Sequence, residues 1–418
     1  MSVSSVLPNP NASSRERFTS EKSLRVLLIS HTCQSKAEGH PKAARLSKLT
    51  DIDLHVLIPD RWYHYGAWRD PDIPNPQDFK CTVGKVSLPW TGPAQFYLHW
   101  YPGLKRLLLD FKPHIIDLWE EPWALVSAHA VRLRNKFLPE TKIVSETEQN
   151  INKTLPFPFE RFRAYTLKNA DYAVCRNREA ISVIRSKGYT GPAEVVPNAV
   201  DADLFCPLDR AAARNQLKLE GFLVGYVGRL VEEKGLMDLI DALPLLPPHV
   251  KALFVGSGPF EAQLKERARQ LNVSGRAMFL PARPLHTLPE LMNALDVLVL
   301  PSRTTPSWKE QFGRVIIEAH ACQVPVVGSD SGAIPDVIGG GGLIVPERNP
   351  SALAAALNSL ASDPAKASSL GRAGRRQVEA QYTWDRVAQR MREIYLKVTS
   401  SSALASVPLH PAGMPANR

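Results

Sequence analysis

The sequence predicts an α/β protein of two doubly wound, Rossmann-like domains that face each other across a cleft. Three observations indicate this fold class. Short apolar segments of strand length alternate with amphipathic helical segments through both halves of the chain, which is the pattern of βαβ units and parallel sheets. The 418 residues suit about two domains of roughly 100–200 residues each. The run Pro197–Asp201 separates the two halves.

The candidate strands are apolar segments bounded by polar, Gly or Pro residues. In the first half they are Leu24–Ser30, Leu54–Pro59, Val83–Leu88, Ile115–Trp119, Ile143–Glu146, Ala173–Cys175 and Glu194–Val196. In the second half they are Leu223–Val227, Ala252–Val255, Ala277–Leu280, Val297–Leu300, Val326–Gly328 and Leu343–Val345. The helices predicted between them include Tyr97–Phe111, Ala124–Phe137, Leu236–Leu246 and Phe260–Leu271. Ligands of such sheets bind beyond the carboxyl ends of the strands.

The strand pattern also sets the expected domain boundaries. Residues 23–205 form an N-terminal domain, and residues 206–383 form a C-terminal domain. A last helix over 384–399 is expected to return to the N-terminal domain, with Thr383 as its N-cap. Two segments rich in small, polar and Pro residues are predicted to be disordered tails: 1–22 and 400–418.

The net charge is +10, from 51 Lys and Arg against 41 Asp and Glu, and both halves share it evenly. This balance favours an anionic small molecule or an anionic membrane surface over a nucleic-acid arm. Without a recognition motif, no nucleic-acid partner is predicted. No apolar run of about 18 residues and no signal-peptide pattern are present, so any membrane contact is expected to be peripheral.

The cysteines indicate a reducing compartment. They are odd in number, far apart and without CxxC spacing, which argues against a disulfide framework and against a zinc site: Cys33, Cys81, Cys175, Cys206 and Cys322. The expected location is the cytoplasm, and association with the cytoplasmic face of an anionic membrane is left open.

A cationic turn follows the first predicted strand of the C-terminal domain. Gly228 and Arg229 end the strand, and Lys234 and Gly235 begin the next helix. Glycine lets the backbone approach a ligand, and a helix N-terminus favours anions. The two cations therefore predict a pyrophosphate clamp. The alternative is an ordinary βα turn with two solvated charges.

A second motif places two glutamates around the start of a helix. Glu310 lies in the loop before the predicted helix Arg314–Cys322, and Gly313 allows a close backbone approach to a ligand. Glu318 lies in the middle of that otherwise apolar helix, where a carboxylate is costly unless it has partners. Sugar hydroxyls are suitable donors to it. The alternative is a glutamate that reaches solvent at the edge of the helix.

These runs together resemble the family 4 retaining glycosyltransferases of GT-B fold, the glycosyltransferase group 1 family. The residues that carry the resemblance are PSWKEQFGRVIIEAHACQVPVVGSDSGAIPDVIG over 306–339, Val-Gly-Arg…Glu-Lys-Gly over 227–235, Val-Gly-Ser-Gly-Pro over 255–259 and Pro-Asn-Ala-Val-Asp over 197–201. The runs occur in the family's order. The resemblance is strong over about 195–345 and weak before that.

The resemblance implies a role for each residue of the second motif. Glu310 faces the donor sugar, and the backbone amides of Phe312 and Gly313 help to hold it. Glu318 binds the ribose hydroxyls of the nucleotide, and Arg314 belongs to the same donor site. The implied co-substrate is a UDP-, GDP- or ADP-sugar, with no permanently bound cofactor.

The resemblance extends to the cationic turn. Gly228, Arg229 and Lys234 contact the donor, and the two cations neutralise the leaving diphosphate, where fixed positive charge is most effective. Pro281 and Arg283 are expected to border the nucleobase. Gln311, Gln323 and the Ser331-Gly332 pair depart from the usual family residues, which puts donor preference in doubt but removes no charged group.

The N-terminal half is implied to bind the acceptor, and its signals are weaker. Gly39 remains where many relatives carry a Gly-Gly pair near the donor phosphates. Glu121 follows the strand Ile115–Trp119, where many relatives have a histidine, and it is a candidate catalytic group on the acceptor hydroxyl. Capping of the next helix is an equal alternative.

Three further residues are candidate acceptor contacts. Glu146 and Glu148 lie at the end of the following strand, which strand order places at the cleft. Trp62 lies in an aromatic segment suited to stacking on a sugar or to a membrane surface. For Trp62, packing in the core is the alternative.

No metal is predicted at the site. Two Asp-x-Asp strings occur, Asp51/Asp53 and Asp201/Asp203, and elsewhere such a string can hold a metal with a nucleotide sugar. The first borders a strand and the second lies in the interdomain link, so neither is at a predicted strand mouth.

The sequence therefore predicts a retaining glycosyltransferase that moves a hexose-type sugar from a nucleotide sugar to a glycan or lipid-linked acceptor. The expected context is the synthesis of a cell-surface polysaccharide or a glycolipid. Two alternatives stay open: a sugar-nucleotide epimerase or phosphorylase on the same fold, and a catalytically silent binding module. Retention needs no separate nucleophile in the mechanism usually proposed for the family, so the catalytic base is left open.

Overall fold

The computed structural model describes residues 23–64, 67–88 and 91–404. The predicted tail over 1–22 and most of the tail over 400–418 lie outside these residues. Within the described part, the predicted α/β fold class with two doubly wound parallel sheets is confirmed.

The N-terminal half contains a seven-stranded parallel sheet and a small antiparallel hairpin. Its strands are β1 (Leu24–Ile29), β2 (Ile52–Pro59), β3 (Trp62–His64), β4 (Ala67–Arg69), β5 (Lys80–Gly84), β6 (Ile115–Leu118), β7 (Lys142–Thr147), β8 (Tyr172–Cys175) and β9 (Ala193–Val195). Its helices are α1 (His40–Ser47), α2 (Gln95–Leu98), α3 (Leu104–Phe111), α4 (Leu125–Phe137), α5 (Phe159–Asn169) and α6 (Arg178–Ser186). The sheet order is β5-β2-β1-β6-β7-β8-β9, so the direction of winding reverses between β1 and β6.

The C-terminal half repeats this plan with six parallel strands in the order β12-β11-β10-β13-β14-β15. The strands are β10 (Phe222–Val227), β11 (Val250–Val255), β12 (Ala277–Leu280), β13 (Val297–Leu300), β14 (Val326–Ser329) and β15 (Gly342–Val345). The helices are α7 (Arg210–Leu217), α8 (Leu236–Ala242), α9 (Glu261–Gln270), α10 (Leu288–Ala294), α11 (Arg314–Ala321), α12 (Ile334–Ile338), α13 (Pro350–Ala361), α14 (Pro364–Gln377) and α15 (Trp384–Leu404). Winding reverses between β10 and β13, and ligands of doubly wound sheets bind at that switch point.

The last helix, α15, packs on the N-terminal sheet. Its apolar residues recur at helical spacing, as at Val387, Met391 and Ile394, and they share one buried cluster with Val26 and Leu28 of β1. A stripe of this width faces the core of a domain. The chain therefore crosses between the two halves twice, once before α7 and once before α15.

The two crossings lie side by side. Val200 donates a backbone hydrogen bond to the carbonyl of Tyr382 over 2.8 Å, and Val200 forms an isolated parallel bridge with Thr383. The hydroxyl of Thr383 accepts a hydrogen bond from the amide of Arg386 over 3.3 Å, as expected of an N-cap.

Several predicted elements are wrong in extent; the helix predicted over Leu236–Leu246, for example, ends as α8 at Ala242. The helix predicted over Tyr97–Phe111 is split into α2 and α3, because Pro102 and Gly103 interrupt it. The strand predicted over Val83–Leu88 is β5, which begins three residues earlier and ends at Gly84. The tail predicted from residue 400 begins too early, since α15 continues to Leu404.

No helix among the described residues has the length and apolar composition that crossing a membrane requires. All five cysteines are free.

Candidate active site

The turn after β10 is shaped by glycines that no other residue could replace without distortion. Gly235 has φ +66°, and a Cβ there would lie 1.9 Å from the carbonyl oxygen of Pro301. The turn therefore packs directly against the end of β13. This contact brings Lys234, the residue before Gly235, to the switch point of the sheet.

Lys234 and Glu310 form an ion pair at this point. The Lys234 Nζ lies 2.6 Å from Glu310 Oε2, and the Ser302 hydroxyl donates to the same oxygen over 3.0 Å. The ammonium also lies 4.8 Å from the centre of the Trp308 ring. The structure thus joins the two predicted motifs, although 76 residues separate them in the chain.

Arg229 has no such partner. It is exposed, and its guanidinium makes no hydrogen bond or ion pair with the described residues, which leaves it available to an anionic ligand. Gly228, beside it, has φ +152°, a conformation that favours glycine.

The second glutamate, Glu318, lies on α11 without a partner. Gly313 precedes this helix with φ +80°, and buried apolar side chains such as Ile316 and Ile317 fix the helix on the sheet. Burial raises the pKa of Glu318, against the opposing charge of Arg314. Its carboxylate accepts no hydrogen bond from the part of the chain that the structure describes, so it is available to the donors of a ligand.

The start of α11 offers further donors to a ligand. The backbone amides of Phe312 and Gly313 donate to no acceptor within the described ranges. The Phe312 ring is buried against Tyr382 at a centroid distance of 5.8 Å. Arg314 Nη1 lies 4.0 Å from the carboxylate of Glu38 in the N-terminal half. These residues are therefore brought together as predicted from the sequence, and their roles remain a prediction.

The loop before α11 is docked on the N-terminal half by side-chain hydrogen bonds to its carbonyl groups. Asn150 Nδ2 donates to the carbonyl of Glu310 over 3.0 Å, and Asn177 Nδ2 donates to that of Gln311 over 2.7 Å. Lys153 Nζ donates to the carbonyl of Ser307 over 2.6 Å. The backbone that carries Glu310 is thus held from both halves of the chain.

Opposite this loop, a cavity of about 270 Å³ opens at the carboxyl ends of β1, β6 and β7. Phe96, Trp119 and Trp123 contribute aromatic walls, and Gln311 closes the cavity from the side of the C-terminal half. Because Gln311 is the neighbour of Glu310, the cavity adjoins the donor-side residues.

Glu121 lines the cavity, as its predicted position at the cleft requires. Its two oxygens accept hydrogen bonds from the Thr147 hydroxyl over 2.6 Å and from the amide of Glu148 over 2.8 Å. Burial raises the pKa of Glu121 to about 7, although these hydrogen bonds oppose the shift. A carboxyl with this pKa can exchange a proton near neutral pH.

A histidine that the sequence reasoning missed faces the same cavity. His31, at the end of β1, holds Glu120 with its Nδ1 2.6 Å from Oε2, and its backbone amide donates to Oε1 over 2.5 Å. His99 Nε2 lies 3.6 Å from the same carboxylate. The signal available in the sequence was a histidine directly after the first strand, at a predicted strand mouth.

The charged forms of His31 and Glu120 stabilise each other. Burial lowers the pKa of His31, but the charge and hydrogen bond of Glu120 outweigh burial and raise it. Burial likewise opposes ionisation of Glu120, yet His31 and His99 lower the pKa of Glu120 to about 2. His31 thus lies at this cavity and follows β1, whereas the sequence comparison placed a histidine of relatives in the loop after β6.

The prediction that the Glu146 carboxylate contacts an acceptor is wrong. Glu146 is 1% exposed, and its two oxygens form ion pairs with Lys42 and Arg176. A buried charge with both oxygens paired supports the wall of the cavity, and its carboxylate has no free oxygen to offer. Glu148 differs, since 38% of its side chain is exposed and Arg176 Nε lies 3.4 Å away.

Two other predicted contacts are also wrong in the structure. Trp62 is 1% exposed and stacks against His31 at a centroid distance of 4.5 Å, so it supports the histidine and presents no face to the cleft. Gly39 donates its amide to the carbonyl of Ser35 over 3.0 Å. A Cβ at Gly39 would lie 2.4 Å from the Cα of Cys33, so this glycine closes its own loop.

Pro281 and Arg283 lie in an exposed loop after β12. β12 is an edge strand, two strands from β10, so the loop borders the same carboxyl-end face at a distance from Lys234. Their proposed contact with a nucleobase stays a prediction.

Among the described residues, no group of three or more His, Cys, Asp or Glu side chains is arranged to hold a metal ion. The predicted metal independence is not tested by this finding and stays a prediction.

Comparison with known proteins identifies the family. Residues 209–377 match the model of the family described as glycosyl transferases group 1. The chain is 32% identical over 383 residues to the alpha-maltose-1-phosphate synthase of Mycolicibacterium smegmatis, which covers 85% of this chain and 93% of that protein. The chain belongs to the group 1 glycosyltransferases.

Two further similarities support the family and the fold. A GDP-mannose-dependent monoacylated alpha-(1-6)-phosphatidylinositol monomannoside mannosyltransferase of Corynebacterium glutamicum is 33% identical over 215 residues, 48% of this chain and 55% of that protein. The crystal structure of HepE of Anabaena in complex with UDP superposes with a TM-score of 0.70 at 20% identity, over 90% of this chain and all of that chain. The predicted GT-B fold of this group 1 glycosyltransferase is thereby confirmed.

Proposed function

We propose that this group 1 glycosyltransferase retains anomeric configuration and moves a hexose-type sugar from a nucleotide-sugar donor to a glycan or lipid-linked acceptor. One observation carries the proposal. The unpartnered Glu318 carboxylate and the Lys234–Glu310 pair lie at the switch point of one sheet, and a cavity lies at the switch point of the other. A donor and an acceptor can therefore meet between them.

On the donor side, Glu318 accepts hydrogen bonds from the ribose hydroxyls, and the free amides of Phe312 and Gly313 donate to the donor. Arg229 and Lys234 stabilise the negative charge that develops on the leaving diphosphate. Glu310 faces the sugar and, through its ion pair, holds Lys234 at the diphosphate. The names of the C. glutamicum relative and of the HepE complex support a GDP- or UDP-sugar, and an ADP-sugar is the remaining candidate.

In the transfer step, the acceptor oxygen bonds to the anomeric carbon on the face from which the diphosphate leaves. The hydroxyl proton passes to the departing phosphate oxygen, so retention needs no protein nucleophile. Glu121 is a candidate to share this proton, because its pKa of about 7 lies near neutral pH.

We further propose that the enzyme works at the cytoplasmic face of an anionic membrane, in the synthesis of a cell-surface polysaccharide or a glycolipid. A groove of about 580 Å³ between α4 and α5 supports this. Phe157 at its rim is 77% exposed, and Arg132 and Arg161 line it. Exposed aromatic and basic side chains favour an anionic interface.

The test begins with thermal unfolding against UDP-, GDP- and ADP-sugars, with the matching nucleoside monophosphates as controls. Preferential stabilisation by one donor is expected. A folded protein that no donor stabilises would overturn the proposal. A silent binding module would bind a donor without hydrolysing it or transferring its sugar. Anomeric coupling constants in the NMR spectrum of the product then test retention separately.

A further inference from the structure

We propose that the cavity beside Gln311 holds an uncharged sugar unit as the acceptor and discriminates against phosphorylated sugars. This inference rests on the proposed function, since it names the acceptor class of the same site. It is carried by the size of the cavity, its aromatic walls and the absence of a free cation among those lining residues that the structure describes.

The size and walls of the cavity suit a single sugar ring. Its volume of about 270 Å³ lies just below the ~300–1,000 Å³ typical of small-molecule sites. Phe96, Trp119 and Trp123 present apolar faces, on which the C–H faces of a sugar ring can pack. An extended oligosaccharide would leave most of its units outside.

Carboxylates dominate the charged lining of the cavity. Four glutamates and no Lys or Arg line it among the described residues. Three of them already accept hydrogen bonds or pair with cations, whereas 38% of the Glu148 side chain is exposed. Carboxylate oxygens accept hydrogen bonds from hydroxyl groups, so an uncharged sugar finds its carboxylate partner in Glu148.

The cations behind the wall are already neutralised. Lys42 and Arg176 are both nearly fully buried, and they pair with Glu146. Arg176 also lies 3.4 Å from Glu148. Neither guanidinium nor ammonium is left to meet a phosphate, and a phosphate at this wall would face the Glu148 carboxylate. Such like-charge contacts are how a binding site rejects a wrong partner.

His31 does not add a free positive charge to the cavity. Its Nδ1 is held by the ionised Glu120 at 2.6 Å, so the pair carries no net charge when the ring is protonated. Its Nε2 makes no hydrogen bond with the described residues and can contact a hydroxyl of the acceptor. His31 therefore acts as a polar contact and not as a phosphate-binding cation.

The experiment uses one donor, which is the nucleotide sugar that the wild-type protein binds and slowly hydrolyses. Acceptors are compared in matched pairs of an uncharged and a phosphorylated compound. The pairs are glucose with glucose 1-phosphate and with glucose 6-phosphate, mannose with mannose 6-phosphate, and inositol with inositol phosphate. We measure glycoside formation by mass spectrometry and the acceptor dependence of nucleoside diphosphate release. For the pair that reacts, kcat/KM is expected to be at least tenfold higher for the uncharged member.

A charge reversal sharpens the test. Glu148→Lys should increase the use of the phosphorylated member at least tenfold relative to the uncharged one. Glu140→Lys makes the same charge change at an exposed residue far from the cavity, and it should leave the ratio unchanged. Equal or better use of phosphorylated sugars by the wild type overturns the inference.

The remaining outcomes separate the two proposals. If no sugar of either kind accelerates diphosphate release or gives product while the donor is bound and hydrolysed, the inference is wrong and the proposed donor chemistry stands. If no donor is bound at all, the proposed function itself fails.

Discussion

At the scale of single residues, the two glutamates around α11 differ in their surroundings, and this difference divides their roles. Glu310 is bound to Lys234 and Ser302, whereas Glu318 has no hydrogen-bond partner among the described residues. We propose that Glu310, which is already paired with a cation, organises the reacting end of the donor. A carboxylate without donors is the one that gains most from ribose hydroxyls.

We therefore expect Glu310→Ala to lower kcat at least about 100-fold with little change in the Kd of the nucleotide. Glu318→Ala should raise the Kd of the nucleotide about tenfold or more, since a hydrogen bond to a charged group is worth about 1.5–3 kcal/mol. Titration calorimetry with the nucleoside diphosphate and initial-rate kinetics check both. Glu266→Ala on α9, outside the site, is the control. Equal losses of nucleotide binding in both variants would contradict this division of roles.

Glu121 gives a second prediction at this scale. Burial raises its pKa from 4.5 to about 7 in the folded protein, so folding is favoured by the bound proton. That contribution is complete below about pH 4.5, declines as pH rises towards 7, and is absent above it. Glu121→Gln removes this decline, so the variant should gain stability relative to wild type between pH 4.5 and 8.

Urea unfolding at closely spaced pH values measures the effect of Glu121→Gln. The unfolding free energy of Glu121→Gln is expected to rise by about 1–2 kcal/mol relative to wild type across this pH range. Partial exposure of Glu121 makes this smaller than the free energy that corresponds to the whole pKa shift. Glu140→Gln, at an exposed position, should run parallel to wild type. A stability difference that is flat over this pH range would show that Glu121 has an ordinary pKa in the folded state.

At the scale of elements, the site depends on turns whose geometry only glycine allows. The turn between β10 and α8 carries Lys234 to β13 because Gly235 has φ +66° and touches Pro301. Gly332 plays the same part on the other side, where a Cβ would lie 2.1 Å from the carbonyl of Glu310. Backbone contacts, more than side-chain packing, set the position of the charged pair.

Gly235→Ala should therefore destabilise the protein by about 1–3 kcal/mol and weaken donor binding at the same time. Gly275→Ala is a matched control, because nothing lies within 4 Å of a Cβ there and its backbone is not left-handed. Thermal unfolding with and without the nucleotide sugar measures both effects. If Gly235→Ala matched Gly275→Ala in stability and donor affinity, the close contact with Pro301 would not constrain the site.

At the scale of the whole molecule, α15 is tied by a buried hydrogen bond to Asp117 of β6 in the N-terminal sheet. Tyr395 donates its hydroxyl to Asp117 over 2.6 Å. Burial and the nearby Glu146 raise the pKa of Asp117, while Lys42 lies 3.9 Å from its Oδ2. A buried network of this kind is stable only when its members are satisfied together.

We expect Tyr395→Phe to cost about 1–3 kcal/mol of unfolding free energy, since it leaves a buried Asp117 oxygen without its donor. Amide hydrogen exchange in α15 should become faster, which reports loosened docking of the helix. Tyr382→Phe is the control, because its hydroxyl has only a 3.4 Å contact with Gln377. Unchanged exchange in α15 together with unchanged stability would mean that apolar packing alone docks the helix.

The sequence determined much of this protein by itself. Apolar segments of strand length mark most of the parallel strands of both sheets, because buried strands must be apolar on both faces. Lys234, Glu310 and Glu318, which we propose to bind the donor, were also singled out from local patterns. Each lies in or beside a glycine-containing turn or at a helix start, and such features are encoded within a few neighbouring residues.

The tertiary structure alone decided the acceptor side. His31, Glu120 and His99 come from separate segments, and no local spacing indicates that they meet. Glu146 and Glu148 are two residues apart and looked equivalent, but Glu146 lies within β7 and is buried between Lys42 and Arg176, whereas Glu148 lies past the end of β7 and stays accessible. Local patterns encode turns and periodicity, whereas burial and ion pairing depend on which distant segments the fold brings together.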